Sequence, residues 1–268
     1  MKKEEVRIAI IRIEGTNCEE ESYNAFKTLG TKPEYVHVNE LSRGIKSLED
    51  YQMIFIPGGF SGGDYVRAGA IFASRMKGTI SRDLKKFIDE NKLVLGVCNG
   101  FQVLMELGFL PGIDTNWSMK PQAGLAPNIS NRFECRWIYV KKEKSSCEFL
   151  NKIKDGEVFA MPIAHAEGRF IFSKENEKKY LDHMISHKQI ALRYVNENGD
   201  YASYPWNPNG SLYNIAGICN EQGNVFGLMP HPERAFSRYQ HPGFYRGLFE
   251  KPGKRMFNGI VEYLLKKY

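Results

Sequence analysis

The sequence predicts an α/β fold: a doubly wound, three-layer arrangement around a mostly parallel central sheet, with an additional, partly antiparallel β region. Three observations carry this expectation. Apolar runs at Val6–Ile13, Tyr51–Ile56 and Leu93–Val97 are short and nearly continuous, the pattern of strands buried on both faces. Segments of helical period alternate with them through the N-terminal part of the chain. Between Pro111 and Gly210 strand-like runs outnumber helical ones, so the sheet is expected to continue into a more antiparallel half.

In chain order, Val6–Ile13 (VRIAIIRI) is a β-branched first strand. Glu14–Asn17 turns the chain, and Asn17, with Glu20 three residues on, is the expected N-cap of a helix. Ala25, Phe26 and Leu29 form the apolar stripe of that helix, which stops at Gly30. Tyr35–Val38 is a second strand. Tyr51–Ile56 is a third, running into the glycine-rich loop Pro57–Asp64. Ser81 opens a helix with Leu84, Phe87 and Ile88 on one face, and Leu93–Val97 is the next strand. Phe101, Leu104 and Met105 follow at helical spacing up to Gly108. Later strands are expected at Glu134–Val140, Val158–Ile163 and Ile190–Val195, and a closing helix at Met256–Leu265. Right-handed crossovers would line up the strand ends at 13–17, 57–60 and 97–99 along one edge, where such folds place their sites. No linker or repeat divides the chain, so residues 1–268 are read as one domain.

Composition narrows the classes of function. Of 268 residues, 42% are hydrophobic and 13% aromatic, enough for a large core. The net charge of +6 arises from 37 basic and 31 acidic residues that are well mixed, which argues against a nucleic-acid-binding stripe. The five cysteines form neither C-x-x-C pairs nor an even disulfide framework, which points to a reducing, cytoplasmic setting. No run reaches membrane length. The Gly58–Asp64 loop matches neither G-x-x-x-x-G-K-[ST] nor a dinucleotide-binding G-x-G-x-x-G, so no nucleotide site is expected.

The chemistry concentrates in Gly96-Val97-Cys98-Asn99-Gly100. A cysteine between a buried strand and a helix, flanked by glycines, reads as a nucleophile on a tight elbow at the helix N-terminus. The Asn99 backbone N–H would then point at the oxyanion formed when a thiolate attacks a carbonyl. The competing reading is a small buried side chain in a βα turn. Two downstream segments could supply an acid–base partner: His165-Ala166-Glu167 and His231-Pro232-Glu233. In an extended chain, residues two apart point the same way, so each carboxylate could orient its imidazole. Pro230 and Pro232 stiffen the turn around His231 and favour the second pair.

Taken together, GVCNGFQ and MPHPERA resemble the class I (triad-type) glutamine amidotransferases, in which a nucleophile elbow is followed far downstream by H-P-E. EGTNCEEE, PGGFSGGDYVRAGAIFA, MPIAHAEGRF and NPNGSLYNIAGICNEQGNVFGLMPHPERA narrow the resemblance to the glutaminase components of phosphoribosylformylglycinamidine synthases, over nearly the whole chain. The resemblance implies that Cys98 forms a glutamyl thioester, that His231 is general base and acid, and that Glu233 orients it. It also implies an oxyanion hole from backbone N–H groups near Gly59 and at Asn99, and a place for Gln102 in the glutamine site. His165 and Glu167 become supporting or partner-contact candidates. The implied partners are a synthetase subunit and a small assembly subunit. ATP and magnesium belong to the synthetase, with no cofactor or metal in this chain. A glutaminase serving another pathway, or a cysteine hydrolase on the same fold, stays open. Many relatives carry tyrosine where this chain has Gly62, which leaves the order of that loop as a question.

Overall fold

The computed structural model describes residues 1–113, 115, 117–118, 120–247 and 251–268. The elements are β1 (Arg7–Arg12), α1 (Glu19–Thr28), β2 (Lys32–His37), α2 (Val38–Ser42), β3 (Met53–Ile56), α3 (Ala70–Thr79), α4 (Ser81–Asp89), β4 (Leu93–Val97) and α5 (Asn99–Leu107). There follow β5 (Gly124–Pro127), β6 (Glu134–Lys142), β7 (Val158–His165), β8 (Glu167–Ile171), α6 (Glu177–Ser186), β9 (Ile190–Val195), β10 (Ile215–Cys219), β11 (Val225–Leu228) and α7 (Pro252–Lys267). Among the described residues, nine strands form one sheet in the order β2-β1-β3-β4-β11-β10-β9-β6-β7. The first five are parallel neighbours and the remaining pairs antiparallel. A separate antiparallel pair, β5 and β8, lies beside it.

The parallel half is covered on both faces, which is why its strands read as unbroken apolar runs. All of β3 and β4 is buried. On one face Phe55 of β3 meets Phe26 of α1 and Phe257 of α7, with ring centroids 5.5 and 6.1 Å away. On the other face α5 lies over Gly96 and Gly227: a β-carbon on Gly227 would come within 2.1 Å of the Phe101 ring. Each buried ring of this kind contributes about 1.5–3 kcal/mol.

Two local expectations need correcting. The residue at the N-cap of α1 is Cys18, not Asn17, and its side chain makes no capping bond. Asn17 instead turns its side-chain oxygen toward Gly59, so the chain entering the helix is held by the glycine loop rather than by a cap. β2 begins at Lys32 rather than Tyr35, because pairing with β1 runs from Arg7↔Lys32 onward and extends the strand past its apolar part. No described helix is long and apolar enough to cross a membrane.

Candidate active site

β4 ends at Val97, and Cys98 follows in a conformation that L-residues rarely adopt (φ +51°, ψ −106°). Such a backbone costs on the order of 1–3 kcal/mol and persists only where the surroundings enforce it. Here the Cys98 N–H donates to the Leu228 carbonyl of β11 (2.8 Å), and the Cys98 carbonyl accepts from the Gln102 N–H (3.1 Å). The turn also needs Gly100, where a β-carbon would sit 1.9 Å from the Ile56 carbonyl oxygen. The thiol therefore projects from the carboxyl edge of the sheet at the start of α5, whose dipole favours negative charge there. It lies 3.7 Å from the Ala164 carbonyl of β7.

The sheet brings the second component to the same edge. β11 pairs in parallel with β4, Leu228 opposite Val97, so the residues just past both strands meet. His231 is held by its own N–H on the Pro162 carbonyl (2.9 Å). Its Nδ1–H donates to Glu233 Oε1 at 2.5 Å, with both residues essentially buried. The two-residue spacing does not act through an extended chain, as expected from sequence. A 3₁₀ turn, Pro232–Ala235, starts immediately after His231 and folds the carboxylate back under the ring. Burial disfavours the imidazolium, but the Glu233 carboxylate first, and then the Cys98 and Cys18 thiols beside the ring, outweigh it and raise the His231 pKa well above its ordinary value. Nε2 is left facing the thiols.

Cys18 was not singled out in the sequence as a site residue, yet it lies in the site. Its Sγ accepts from Arg234 Nη2 at 3.0 Å and its N–H donates to the Gly58 carbonyl at 3.2 Å. Burial raises its pKa, partly offset by His231. The available signal was its position directly after β1, on the edge predicted to carry the site. Cys18, Cys98, His231, Gly59, Phe60 and Arg234 border a cavity of about 270 Å³. A larger cavity of about 480 Å³ near Gln122 and Tyr180 holds neither thiol nor imidazole among its lining residues. Cys18, His231 and Glu233 could in principle offer three metal ligands within 4.8 Å of one another. The Arg234 guanidinium already occupies the cationic position on Cys18, and Glu233 already holds the imidazole, so the set is poorly suited to a cation.

The glycine loop closes the other side. Gly62 N–H donates to the Glu14 carbonyl (2.8 Å) and Phe60 N–H to that of Gly15 (3.0 Å), which ties the loop to the end of β1 despite glycine at position 62. Asn99 accepts from Ser61 N–H (3.3 Å) and donates to Gln102 Oε1 (3.0 Å). Its own backbone N–H is in the first turn of α5, where no carbonyl lies four residues back. Gln102 is buried rather than a solvated helix residue, and its Nε2 donates to the Glu167 carbonyl at 2.5 Å. It reaches the thiol's surroundings through Asn99.

His165 and Glu167 do not pair with each other. The His165 ring engages Asn128 Oδ1 at 3.1 Å, while Glu167 accepts from the Ala68 N–H at 3.1 Å. The chain corners between β7 and β8, so the two side chains part. Burial, and then the charge of nearby His231, push the His165 pKa down to about 3.

A family model described as CobB/CobQ-like glutamine amidotransferase domain matches residues 5–264. "Phosphoribosylformylglycinamidine synthase subunit PurQ" of Archaeoglobus fulgidus is 49% identical, over 99% of this chain and 100% of that protein. The protein of the same name from Picrophilus torridus is 48% identical, over 94% of this chain and 96% of its own. Among solved structures, a chain of "PurLQS from Thermotoga maritima" superposes with a TM-score of 0.74 at 34% identity, covering 97% of this chain and 99% of that one.

Proposed function

This chain belongs to the CobB/CobQ-like glutamine amidotransferase family, and from that premise we propose that it is the glutamine-hydrolysing subunit of a phosphoribosylformylglycinamidine synthase. It releases ammonia from glutamine and hands it to a synthetase subunit, which uses ATP to turn formylglycinamide ribonucleotide into the amidine in purine biosynthesis. A small third subunit completes the complex, as the relatives' assembly implies. ATP and magnesium are needed on the synthetase; the chemistry of this chain rests on its own side chains. Its place is the cytoplasm, with the rest of that pathway.

The observation that carries the reading is a thiol on a strained elbow facing an imidazole whose far nitrogen is held by a buried carboxylate. His231 Nε2 takes the Cys98 proton, and the thiolate attacks the side-chain carbonyl carbon of glutamine. The oxyanion is received by the backbone N–H groups of Asn99 and Gly59. The imidazolium returns its proton to the departing nitrogen, which leaves as ammonia, and a glutamyl thioester remains on Cys98. Water, deprotonated by His231, then attacks the thioester and releases glutamate and the free thiol. Glu233 fixes the imidazole's tautomer and stabilises its charged form. Asn99 and Gln102 brace the start of α5, so that the Asn99 amide keeps its direction.

Peptide mapping after treatment with an electrophilic chloroketone analogue of glutamine tests this. One adduct on Cys98, suppressed by excess glutamine, is the expected result. Labelling at Cys18 or Cys135 instead would overturn the assignment of the nucleophile.

A further inference from the structure

We propose that Cys18 and Cys98 form a reversible redox modification site, in which Cys18 captures peroxide-oxidised Cys98 as a disulfide. The inference rests on the placement of the two thiols and not on the substrate proposed above.

Three of the chain's five cysteines, Cys18, Cys98 and Cys135, border the catalytic cavity, and glutamine hydrolysis uses only Cys98. Cys18 is fixed there by its backbone. Its N–H donates to the Gly58 carbonyl at 3.2 Å, and its carbonyl accepts from the Ser22 hydroxyl at 2.7 Å. Gly58 shows how closely the two cysteines approach. A β-carbon built on it would lie 3.3 Å from Cys18 Sγ, 3.4 Å from Cys98 Cβ and 2.8 Å from His231 Cε1. Glycine thus places no side chain of residue 58 between them. The Cys98 sulfur lies 3.7 Å from the Ala164 carbonyl. Rotation about its Cα–Cβ bond is the movement by which it reaches Cys18, in a bridge that needs β-carbons about 3.5–4.5 Å apart.

The two thiols are unlike, which assigns their roles. Cys98 stands at the start of α5 beside the imidazole that takes its proton, so it is the one a peroxide oxidises first. Burial keeps Cys18 as the thiol at rest, while His231 and the Arg234 guanidinium, 3.0 Å from its sulfur, favour the thiolate when it attacks.

The chemistry balances with hydrogen peroxide as oxidant. The Cys98 thiolate attacks one peroxide oxygen, the O–O bond breaks, and hydroxide leaves and is protonated to water. The sulfur is oxidised to a sulfenic acid and the peroxide is reduced. The Cys18 thiolate then attacks that sulfur, the S–O bond breaks, and a second hydroxide takes a proton from the His231 imidazolium and leaves as water. Two thiols and one peroxide give one disulfide and two waters. The bridge stops glutamine hydrolysis but a dithiol reopens it, whereas further oxidation to the sulfinic acid is irreversible.

The test is peptide mapping of the full chain after a few equivalents of hydrogen peroxide, without reductant. Glutaminase activity in the complex is measured before oxidation, after it, and after dithiothreitol. We expect one joined peptide pair, Cys18 with Cys98, lighter by two hydrogen atoms, and activity that is lost on oxidation and regained on reduction. In Cys18→Ser, Cys98 should instead accumulate as the sulfinic acid. The fraction of its own starting activity that this variant regains should be at least about fivefold below that of the wild type. Cys135→Ser should leave the bridge in place. A Cys98–Cys135 bridge, sulfinic acid on wild-type Cys98 with Cys18 free, or an untouched Cys98 would each overturn the proposal. So would equal recovery in the wild type and Cys18→Ser. The mapping needs no substrate, so its outcome is separate from that of the glutamine-analogue labelling.

Discussion

Two histidines, His165 and His231, stand close together behind Cys98, each followed two residues later by a glutamate and each almost wholly buried. They are held in opposite states. His231 meets its own glutamate, because Pro232 starts a 3₁₀ turn that brings Glu233 under the ring, and its pKa rises. His165 is followed by a corner between two strands, and its glutamate turns away to the Ala68 N–H. Left with only the neutral amide of Asn128, His165 loses its affinity for a proton, and the charge on His231 deepens that loss. Equal spacing and equal burial thus gave one basic imidazole and one that stays neutral. What separates them is a single buried carboxylate, since in a low-dielectric interior a charge is retained only where an opposite charge is in contact.

The comparison breaks most readily at the two rings themselves. His231→Asn should lower kcat in the complex by on the order of 10⁴-fold, whereas His165→Asn should cost less than about tenfold. Comparable losses in the two variants would mean that the roles are shared or reversed. Glu233→Gln should cost on the order of 10³-fold and move the acid limb of the pH–rate profile to lower pH, because His231 must be neutral to take the Cys98 proton and loses the charge that raises its pKa. An unmoved profile would show that Glu233 acts only by packing. Gly168→Ala probes the packing of the neutral ring. A β-carbon there would lie 2.3 Å from His165 Cε1, so we expect a loss of about 1–3 kcal/mol in denaturant unfolding.

The pH dependence of stability separates the rings again, because the two histidines have opposite signs there. Unfolded, each binds a proton near 6.5, whereas folded His165 does so only near 3. Between those values the unfolded state holds the extra proton, so stability should fall as the pH is lowered, by about 1.4 kcal/mol per pH unit from this group. His231, with its folded pKa raised, adds stability that is complete below its ordinary value and is lost as the pH rises through the raised one. Unfolding of His165→Gln between pH 6 and 4 should therefore show a shallower acid slope than the wild type. Equal slopes would mean that His165 is protonated in the folded protein.

Much of this was legible in the residues. Apolar runs bounded by glycine marked β1, β3 and β4, and a cysteine set between Gly96 and Gly100 marked the elbow, because a strand buried on both faces and a turn crowded by Ile56 each admit few residue types. The motif order in GVCNGFQ and MPHPERA identified the family before any geometry was known. The antiparallel half was foreseen only in outline. The strands β5, β8, β10 and β11 are short, and the pairings of β5 with β8 and of β11 with β4 join segments far apart in sequence.

What the residues by themselves determined, then, is local: which segments bury both faces, where the chain must turn on glycine, and that Cys98 stands on a strand-to-helix elbow. The residues favoured His231 over His165, and the tertiary structure supplied the contact that makes its ring face that thiol. That contact depended on β11 docking beside β4 rather than on anything within H-x-E. The tertiary structure also brought Cys18 and Arg234, 216 residues apart, into contact beside Cys98. Backbone sterics and burial act over a few residues and leave a periodic trace in sequence, whereas the charge state of a buried group is set by neighbours that the sheet order brings from elsewhere in the chain.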